Sequence, residues 1–402
     1  MGARGHTQST VRFEGRLDVT PPIADGQLAL VPARRGVVAL LAEGDRPIVL
    51  LTAADMRSRV RNRLCNPDEQ ERRKVPDLHV ITRAIVWTEA PGHFEADWAY
   101  LEIARRLWPK TYPSLLACKP PWFVRVDPKE KFPHFARTRE PLTAGGTCLG
   151  PFESARSADA FIETLQDAFD LCRQVQCLRR SPHAQPCAYA QIGKCLSPCD
   201  GSIPLEAYRK VVAEAAGFAL GRREAFRAAL AGRMKQAAGE LKFERAAALK
   251  ARLARLDDLD KPEYAHVAPL EEFRFLLLSP GENFHRVKVF ASCRGAVRAC
   301  GTLEYPPRPR PLASVLKKVS SLQGETPGDD GAGPWRMALV CRMLQAGRAA
   351  QGAAARWTDD WTPQRLGEWI EQSAATLGLR APKPRGRAAA GKAKTEPPSP
   401  SP

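Results

Sequence analysis

The sequence predicts an α+β protein of several domains, and three observations lead to this prediction. Strand-like and helix-like segments alternate between residues 27 and 140. Helical patterns dominate from 205 to 259, and a β-rich stretch follows at 273–305. A chain of 402 residues is long enough for two to four such modules. We therefore expect an α+β multidomain architecture in which each stretch forms a unit of its own.

The charge balance of the chain indicates a polyanionic partner. There are 61 Lys and Arg against 44 Asp and Glu, which gives a formal net charge of +17. The tail at 381–402 contributes five basic residues and one acidic residue, so the rest of the chain is basic in its own right. Lys and Arg neutralise phosphates with release of counterions, which makes DNA the expected partner. The alternative is a generally basic composition without a specific partner.

The distribution of apolar residues argues against a membrane protein. The sequence contains no run of the roughly 18 apolar residues that span a bilayer. Residues 1–16 are polar and lack the apolar core of an export signal. We therefore expect a cytoplasmic location.

The first domain is expected at 27–140 and reads as a small α/β unit. Its apolar, β-branched stretches favour strands, and its strand and helix patterns alternate. In chain order the expected elements are two strands at 27–52, a helix at 53–65, a third strand at 79–90, a helix at 93–108, and extended segments at 120–128 and 132–140. The second helix should end before Pro109, because proline cannot continue a helix.

A helix and a cysteine cluster are expected at 149–204. One face of the helix carries Ala160, Phe161, Leu165, Ala168, Phe169 and Cys172. Four cysteines follow within 23 residues: Cys177, Cys187, Cys195 and Cys199. Thiolates are soft ligands that select zinc or an iron–sulfur cluster, and disulfides are not expected in a cytoplasmic protein. Cys172 is an alternative first ligand, and unrelated thiols are the alternative to a metal centre.

A pair of helices is expected within the helical region 205–260. Apolar residues recur at spacings of three and four along both helices, and small alanines allow close approach. The residues expected to face a partner are Leu241, Phe243, Ala246, Ala247, Leu249 and Leu253. A helix pair this short exposes an apolar face unless something covers it. The cover is either the rest of this chain or a similar hairpin of another protein.

The last part of the sequence changes composition several times. A short β hairpin is expected within 265–322, and 323–334 reads as a linker because it is rich in Gly, Pro and Asp. Two more helices are expected at 335–378. The basic tail at 379–402 has the composition of a disordered segment.

Four sequence blocks between residues 150 and 258 resemble the UvrC family of the excinuclease ABC system. They are GPFESARSADAFIETLQDAF, PCAYAQIGKCLSPC, IPLEAYRKVVAEAAGFALGR and LKFERAAALKARLARL. The resemblance implies that the four cysteines hold a 4Fe–4S cluster, with zinc as the alternative. It implies that the hairpin, called UVR in the family, docks on the partner helicase UvrB. It also implies that the first domain is a nuclease of the GIY-YIG type, which makes the 3′ incision at damaged DNA.

The nuclease positions of the family are largely substituted in this sequence. In the family these positions are two tyrosines, a lysine, an arginine and a glutamate that holds Mg²⁺. They correspond here to Val38, Val49, Thr52, Arg59 and Tyr100. Only the arginine is retained, and valines cannot transfer protons, so we expect incision and Mg²⁺ binding to be lost or strongly reduced. The family's second nuclease domain, which is RNase H-like, is expected only as a truncated remnant at 265–322.

Three hypotheses about function follow from the sequence. The first is a catalytically reduced UvrC-like protein that binds DNA and UvrB, with Arg57, Arg59, Arg61 and Arg63 as a phosphate-contacting patch. The second is an active excinuclease that uses Glu102, Tyr100 and Arg59. The third is an iron–sulfur adaptor that binds nucleic acid outside repair.

Overall fold

The computed structural model describes residues 12–65, 77–323, 330–346 and 351–381, and it confirms an α+β fold. Its described strands form three four-stranded antiparallel sheets, each with helices packed against it. The tail from 382 onward and half of the expected linker, residues 324–329, lie outside the described residues. In the part of the chain that is described, no helix is long and apolar enough to cross a bilayer.

The N-terminal module is a sheet with a helix on each face. In chain order its elements are β1 (Gly15–Asp18), β2 (Gly36–Leu41), β3 (Pro47–Ala53), α1 (Met56–Cys65), β4 (Ala84–Glu89) and α2 (His93–Leu107). The strand order is β1-β4-β2-β3. Side chains alternate across β2, so that Val38 packs towards α1 while Val37 and Ala39 pack towards α2. This alternation gives the module two apolar layers.

Two strands of this module are shorter than the sequence predicted. Residues 27–30 form a 3₁₀ helix instead of a strand, and the strand begins only at Gly36. Pro32 lies between them and has no N–H to give to a sheet. The expected strand at 79–90 begins as a single helical turn, Leu78–Ile81. Asp77 caps that turn by accepting the His79 N–H at 3.0 Å.

The middle module combines a second sheet with four long helices. Its elements are β5 (Trp122–Val126), β6 (Ala136–Thr138), β7 (Thr147–Phe152), α3 (Ala155–Phe169), α4 (Leu205–Ala219), α5 (Arg223–Gly239), α6 (Phe243–Leu256) and β8 (Ala268–Pro269). Ser154 caps α3 by accepting the Ser157 N–H at 3.0 Å. The apolar face predicted for α3 is buried except for Ala160, which is exposed, while Ala158 is buried.

The C-terminal module is larger than the expected hairpin and helix pair. Its elements are β9 (Arg274–Pro280), β10 (Arg286–Cys293), β11 (Ala296–Glu304), α7 (Pro309–Ser321), α8 (Gly333–Ala346), β12 (Ala353–Arg356) and α9 (Pro363–Leu377). The strand order is β11-β10-β9-β12, so β12 from the last segment completes the sheet of the earlier one. The predicted segments 265–322 and 335–378 therefore share one sheet and one apolar core.

Shorter elements join these modules. Single-turn α-helices occur at Tyr112–Leu115, Val175–Leu178 and Ala188–Gln191. Further 3₁₀ helices occur at Glu43–Asp45, Asp257–Asp260, Pro262–Tyr264 and Leu270–Glu272.

Candidate functional site

The two valines at the family's tyrosine positions belong to the apolar core of the N-terminal module. Val38 is completely buried, and Val49 packs against the same cluster. Their neighbours there include Met56 and Val60 of α1. Both side chains are therefore committed to packing, and neither offers a group that accepts or donates a proton.

The other three positions converge on one pocket. A cavity of about 230 Å³ is lined by Thr52 of β3, Arg59 of α1 and Tyr100 of α2. Leu339 and Arg342 of α8 also line it, so a helix from the C-terminal module forms part of its wall. We call this cavity the Arg59 pocket. The structure thus brings together three of the residues that the sequence singled out.

Two polar residues of the Arg59 pocket were missed by the sequence analysis. Asp97 lies one helical turn before Tyr100 on α2, so its spacing was a usable signal. Arg342 had no such signal, because it comes from a distant part of the chain. The two form an ion pair at 3.2 Å, with the Asp97 side chain 29% exposed. Burial raises the pKa of Asp97, and Arg342 only partly offsets this effect.

The Tyr100 hydroxyl is a donor in this pocket and not a base. It donates to the Leu115 carbonyl oxygen at 3.3 Å. Burial raises the pKa of Tyr100 above its ordinary value, so the phenol stays protonated at neutral pH. The hydroxyl therefore does not replace the family's metal-binding carboxylate.

Glu102 is held in a buried ion-pair network away from the Arg59 pocket. Its side chain is 1% exposed, and Arg336 Nε of α8 donates to it at 2.6 Å. Arg105 donates to its other oxygen at 3.1 Å. Asp330 accepts from the far side of Arg336 at 2.7 Å. Burial acts to raise the pKa of Glu102, but Arg336 and Arg105 outweigh burial and lower it.

The four arginines of α1 do not form a uniform patch. Arg57 donates to the Val31 carbonyl oxygen at 2.8 Å, and Arg61 pairs with Asp25 at 2.6 Å. Arg59 is exposed and faces the pocket named after it, while Arg63 is half-buried. The arginines therefore differ in role, and Arg59 is the one placed to meet a ligand in the cavity.

The thiols of Cys172 and Cys195 lie close enough in the middle module to shift each other's pKa, while the Cys172 thiol donates to the Gln174 carbonyl oxygen at 3.4 Å. The buried Cys172 is fixed by its own N–H, which donates to the Tyr208 hydroxyl at 3.1 Å. The contact with Cys172 lowers the pKa of Cys195 to about 7, and it raises the pKa of Cys172. The Ser197 N–H also donates to the Cys195 sulfur at 3.4 Å. Cys195 thus has the thiolate character that a metal ligand needs.

The other cysteines of the cluster are less closely associated. Cys199 is buried, which raises its pKa, and Cys195 and Cys177 both add to this effect. Cys187 is half-buried at the start of the turn Ala188–Gln191. Among the described residues, no group of three or more His, Cys, Asp or Glu stands together as a metal-binding set. The soft thiolate donors suit an iron–sulfur cluster or zinc, and the four-cysteine centre stays a prediction.

The helical hairpin of α5 and α6 has an exposed tip and a packed base. Leu241 in the turn is 72% exposed, and Phe243 at the start of α6 is 66% exposed. Ala247 is also exposed, and Ala246 is half-exposed. Leu241 has a φ of +59°, a left-handed conformation that places this leucine at the tip of the turn. The tip therefore carries two large apolar side chains that no described residue covers.

The base of the hairpin is fastened to α3. Leu249 and Leu253 pack against the apolar core of the middle module. The ring of Phe226 on α5 stacks on Phe169 of α3 with centroids 4.3 Å apart. Arg252 of α6 pairs with Asp170 at 3.3 Å. The sequence allowed either this chain or another protein to cover the apolar face of the hairpin. At the base of the hairpin, this chain covers it.

Comparison with known proteins points to one family. The family profile described as "UvrC/Cho excinuclease, middle domain" matches residues 121–218. UvrABC system protein C of Moorella thermoacetica is 29% identical over 235 residues, covering 58% of this chain and 37% of that protein. The protein of the same name from Caldanaerobacter subterraneus is 26% identical over 267 residues, covering 66% and 43%. No solved structure matches the chain significantly.

The extent of these matches is limited. The protein from Desulforudis audaxviator is 34% identical over 139 residues, which cover 34% of this chain and 22% of that relative. The chain thus spans less than half the length of the curated relatives it matches. The profile match includes the cysteine region and α4, and it ends before the hairpin begins at Arg223.

Proposed function

The chain belongs to the UvrC family, and from that premise we propose that it serves nucleotide excision repair as a binding protein that does not cut DNA. The observation that carries this proposal is the contrast between the Arg59 pocket and the hairpin tip. The positions that correspond to the family's tyrosines, lysine and glutamate carry no proton-transferring or metal-binding group, and the pocket's one carboxylate, Asp97, is paired with Arg342. The tip presents apolar side chains to solvent, as a docking element does.

The chemistry of the pocket supports the loss of incision. Phosphodiester hydrolysis in this type of site needs a metal held by a carboxylate and a group that activates water. Tyr100 stands at the carboxylate position, and Val38 and Val49 stand at the tyrosine positions. Glu102 is bonded to two arginines inside the protein, so recruiting it would leave Arg336 buried with one partner fewer. Arg59 alone can stabilise negative charge on a phosphate, but it cannot hydrolyse a phosphodiester bond.

The partner we propose for the hairpin is a UvrB-like helicase. An antiparallel helix pair can dock against a similar pair when each presents an apolar stripe. Leu241, Phe243 and Ala247 would supply this contact at the tip. Leu249 and Leu253 would support it from the base, because they already hold α6 against the core.

Binding of the full chain to purified UvrB tests this proposal. We expect saturable binding that Phe243→Ser weakens at least tenfold. Phe284→Ser is the matched control, because Phe284 is a similarly exposed phenylalanine, 62%, outside the hairpin. Equal loss in both variants, or no binding by the wild type, would rule out docking through the tip. In that case, an adaptor role outside repair becomes the better account.

The proposed cofactor is a 4Fe–4S cluster, with zinc as the alternative. Cys177, Cys187, Cys195 and Cys199 would hold it, and it would stabilise the loop between α3 and α4 or respond to redox state. The low pKa of Cys195 supports a role as ligand, and its contact with Cys172 makes Cys172 a competitor of Cys177.

Anaerobic purification tests the cofactor directly. We expect broad visible absorbance with about four irons per chain, the stoichiometry of a 4Fe–4S cluster. Comparing Cys172→Ser with Cys177→Ser identifies the first ligand, because only the ligand's loss removes the iron. A colourless protein with one zinc indicates the alternative, and a metal-free protein removes the proposal.

A further inference from the structure

The Arg59 pocket has polar groups that the loss of nuclease chemistry does not explain. Arg59 reaches it from α1 and Arg342 from α8, two helices far apart in sequence. The Tyr100 and Thr52 side chains add two hydroxyls to the same wall. Two guanidinium groups and the Thr52 hydroxyl are hydrogen-bond donors that line one small cavity, while the Tyr100 hydroxyl donates to the Leu115 carbonyl oxygen.

The charge balance of the pocket favours an anion. Its one carboxylate, Asp97, is already paired with Arg342 at 3.2 Å. Among the described residues, no carboxylate pairs with Arg59. Arg35 lies close enough to act on the charge of Asp97, which adds to the positive surroundings, whereas burial lowers the pKa of the neighbouring His93. A divalent cation would meet at least two arginines and a single acid here, so its binding is disfavoured.

The size of the cavity restricts the ligand. At about 230 Å³ it is smaller than the roughly 300–1,000 Å³ of ordinary ligand pockets. Leu339 of α8 and the segment 115–118 wall it in. A phosphate within a strand carries a sugar on both sides, whereas a phosphate at the end of a strand carries only one and is the smaller group to place in a cavity of this size.

The helix that carries Arg342 is held in place by a buried ion pair. The buried pair of Arg336 and Glu102, 2.6 Å apart, fixes α8 against α2. Arg342 lies on the same helix and is further held by Asp97. Both guanidinium groups thus belong to helices that are packed in the core, which limits the ordering cost of binding.

We propose that the Arg59 pocket binds the terminal phosphate monoester of a nucleic-acid strand. The planar guanidinium of Arg matches phosphate oxygens in a bidentate manner, and a terminal phosphate offers more charge than a diester. The former nuclease site then serves to hold strand ends. This inference does not depend on UvrB binding, since it concerns another module.

Strand-end preference is tested with the full chain and fluorescent single-stranded oligonucleotides. The probes carry a 5′ phosphate, a 3′ phosphate or only hydroxyl ends. The hydroxyl strand is two nucleotides longer, because a terminal monoester carries up to about two negative charges and each added diester carries one. We expect one phosphorylated strand to bind about tenfold tighter at the same salt concentration. Inorganic phosphate should compete for this preference, because it carries the same chemical group.

Variants assign the preference to the pocket. Arg59→Gln and Arg342→Gln should each abolish the preference for a terminal phosphate. Arg59→Lys should retain part of this preference, because lysine keeps the positive charge but lacks the two-pronged guanidinium group. Arg46→Gln is the matched control, since Arg46 is an exposed arginine of the same module outside the pocket. Circular dichroism checks that each variant is folded. Equal affinity for all three strands, or a preference that survives both glutamine variants, overturns the proposal, even if free phosphate binds.

Discussion

The N-terminal and middle modules differ in whether their candidate functional residues remain available to bind another molecule. In the N-terminal module, the positions assigned by resemblance to the catalytic tyrosines hold valines, Glu102 is bonded inside the protein, and Asp97 is paired with Arg342. In the middle module, a thiol pair and the hairpin tip are kept in forms that can bind something else. Leu241 and Phe243 stay exposed, although burial of such side chains is favourable by about 1.5–3 kcal/mol each.

We propose that this difference marks where the chain retains the capacity to interact. The charged side chains of a polar site that is no longer used can form ion pairs with other residues of the same chain. The apolar side chains of an exposed tip stay in contact with water unless another surface covers them. We infer that binding was kept and that cutting was lost, and the predictions below test the two sides of this comparison.

The largest expected effect concerns the buried ion pair of Arg336 and Glu102, which joins α8 to α2 of the N-terminal module. Replacing Arg336 with Met leaves Glu102, which is 1% exposed, with one arginine instead of two. Breaking a buried pair costs about 3–5 kcal/mol, so we expect a loss of this size in the free energy of unfolding in urea. The double variant Glu102→Leu with Arg336→Met should recover most of the loss. A single variant that costs less than about 1 kcal/mol contradicts the role assigned to the pair.

A second effect concerns the hairpin, where we expect binding and stability to separate. Leu241→Ser should weaken UvrB binding at least tenfold while changing the free energy of unfolding by no more than about 0.5 kcal/mol. Leu253→Ala at the base should do the reverse and destabilise the chain, because Leu253 packs against the core. Isothermal titration and urea unfolding of the same samples measure both. If Leu241→Ser unfolds the protein, the tip is structural.

A smaller effect is expected where the middle module positions its thiols. In Tyr208→Phe the Cys172 N–H loses its hydrogen-bond acceptor in a buried site. We expect this change to cost about 1–2 kcal/mol in urea unfolding. Tyr100→Phe is the control, because its half-exposed hydroxyl makes a long bond of 3.3 Å. Equal costs in the two variants would mean that Tyr208 does not hold Cys172 specifically.

The smallest effect is the pH dependence of the buried acids. Arg336 and Arg105 lower the pKa of Glu102 below its ordinary value of 4.5, so its contribution is complete above that pH and is lost in acid. The stability gap between wild type and Glu102→Gln should shrink from about pH 5 to about pH 3. Burial raises the pKa of Glu95, so the gap for Glu95→Gln should change in the opposite sense. Parallel changes would contradict these assignments.

Local patterns were enough to predict much of the fold. The helices α1 and α2, the face of α3 that carries Phe161 and Leu165, and the helix pair are close to what the sequence indicated, although α3 ends at Phe169, before Cys172. These elements depend on periodicity and on residues near each other in the chain. The prediction of a strand at residues 27–30 was wrong. These residues form a 3₁₀ helix that buries Leu28, and this local structure prevails over their β propensity.

The features that sequence reasoning missed depend on distant partners. Pairing of β12 with β9 joins residues about 75 apart, such as Ala353 and Leu278. The ion pair of Arg336 with Glu102 spans 234 residues. Arg342 could not be assigned to the Arg59 pocket for the same reason. Such contacts follow from how the modules pack, which no local pattern encodes.

Incision of damaged DNA tests the central claim most directly. The purified chain is added with UvrA, UvrB and Mg²⁺ to a duplex that carries one bulky lesion, beside a complete excinuclease reaction as the positive control. We predict a stable complex with UvrB on the lesion and no cut above the level seen without the chain. Mg²⁺-dependent cutting that Arg59→Gln abolishes would contradict the account.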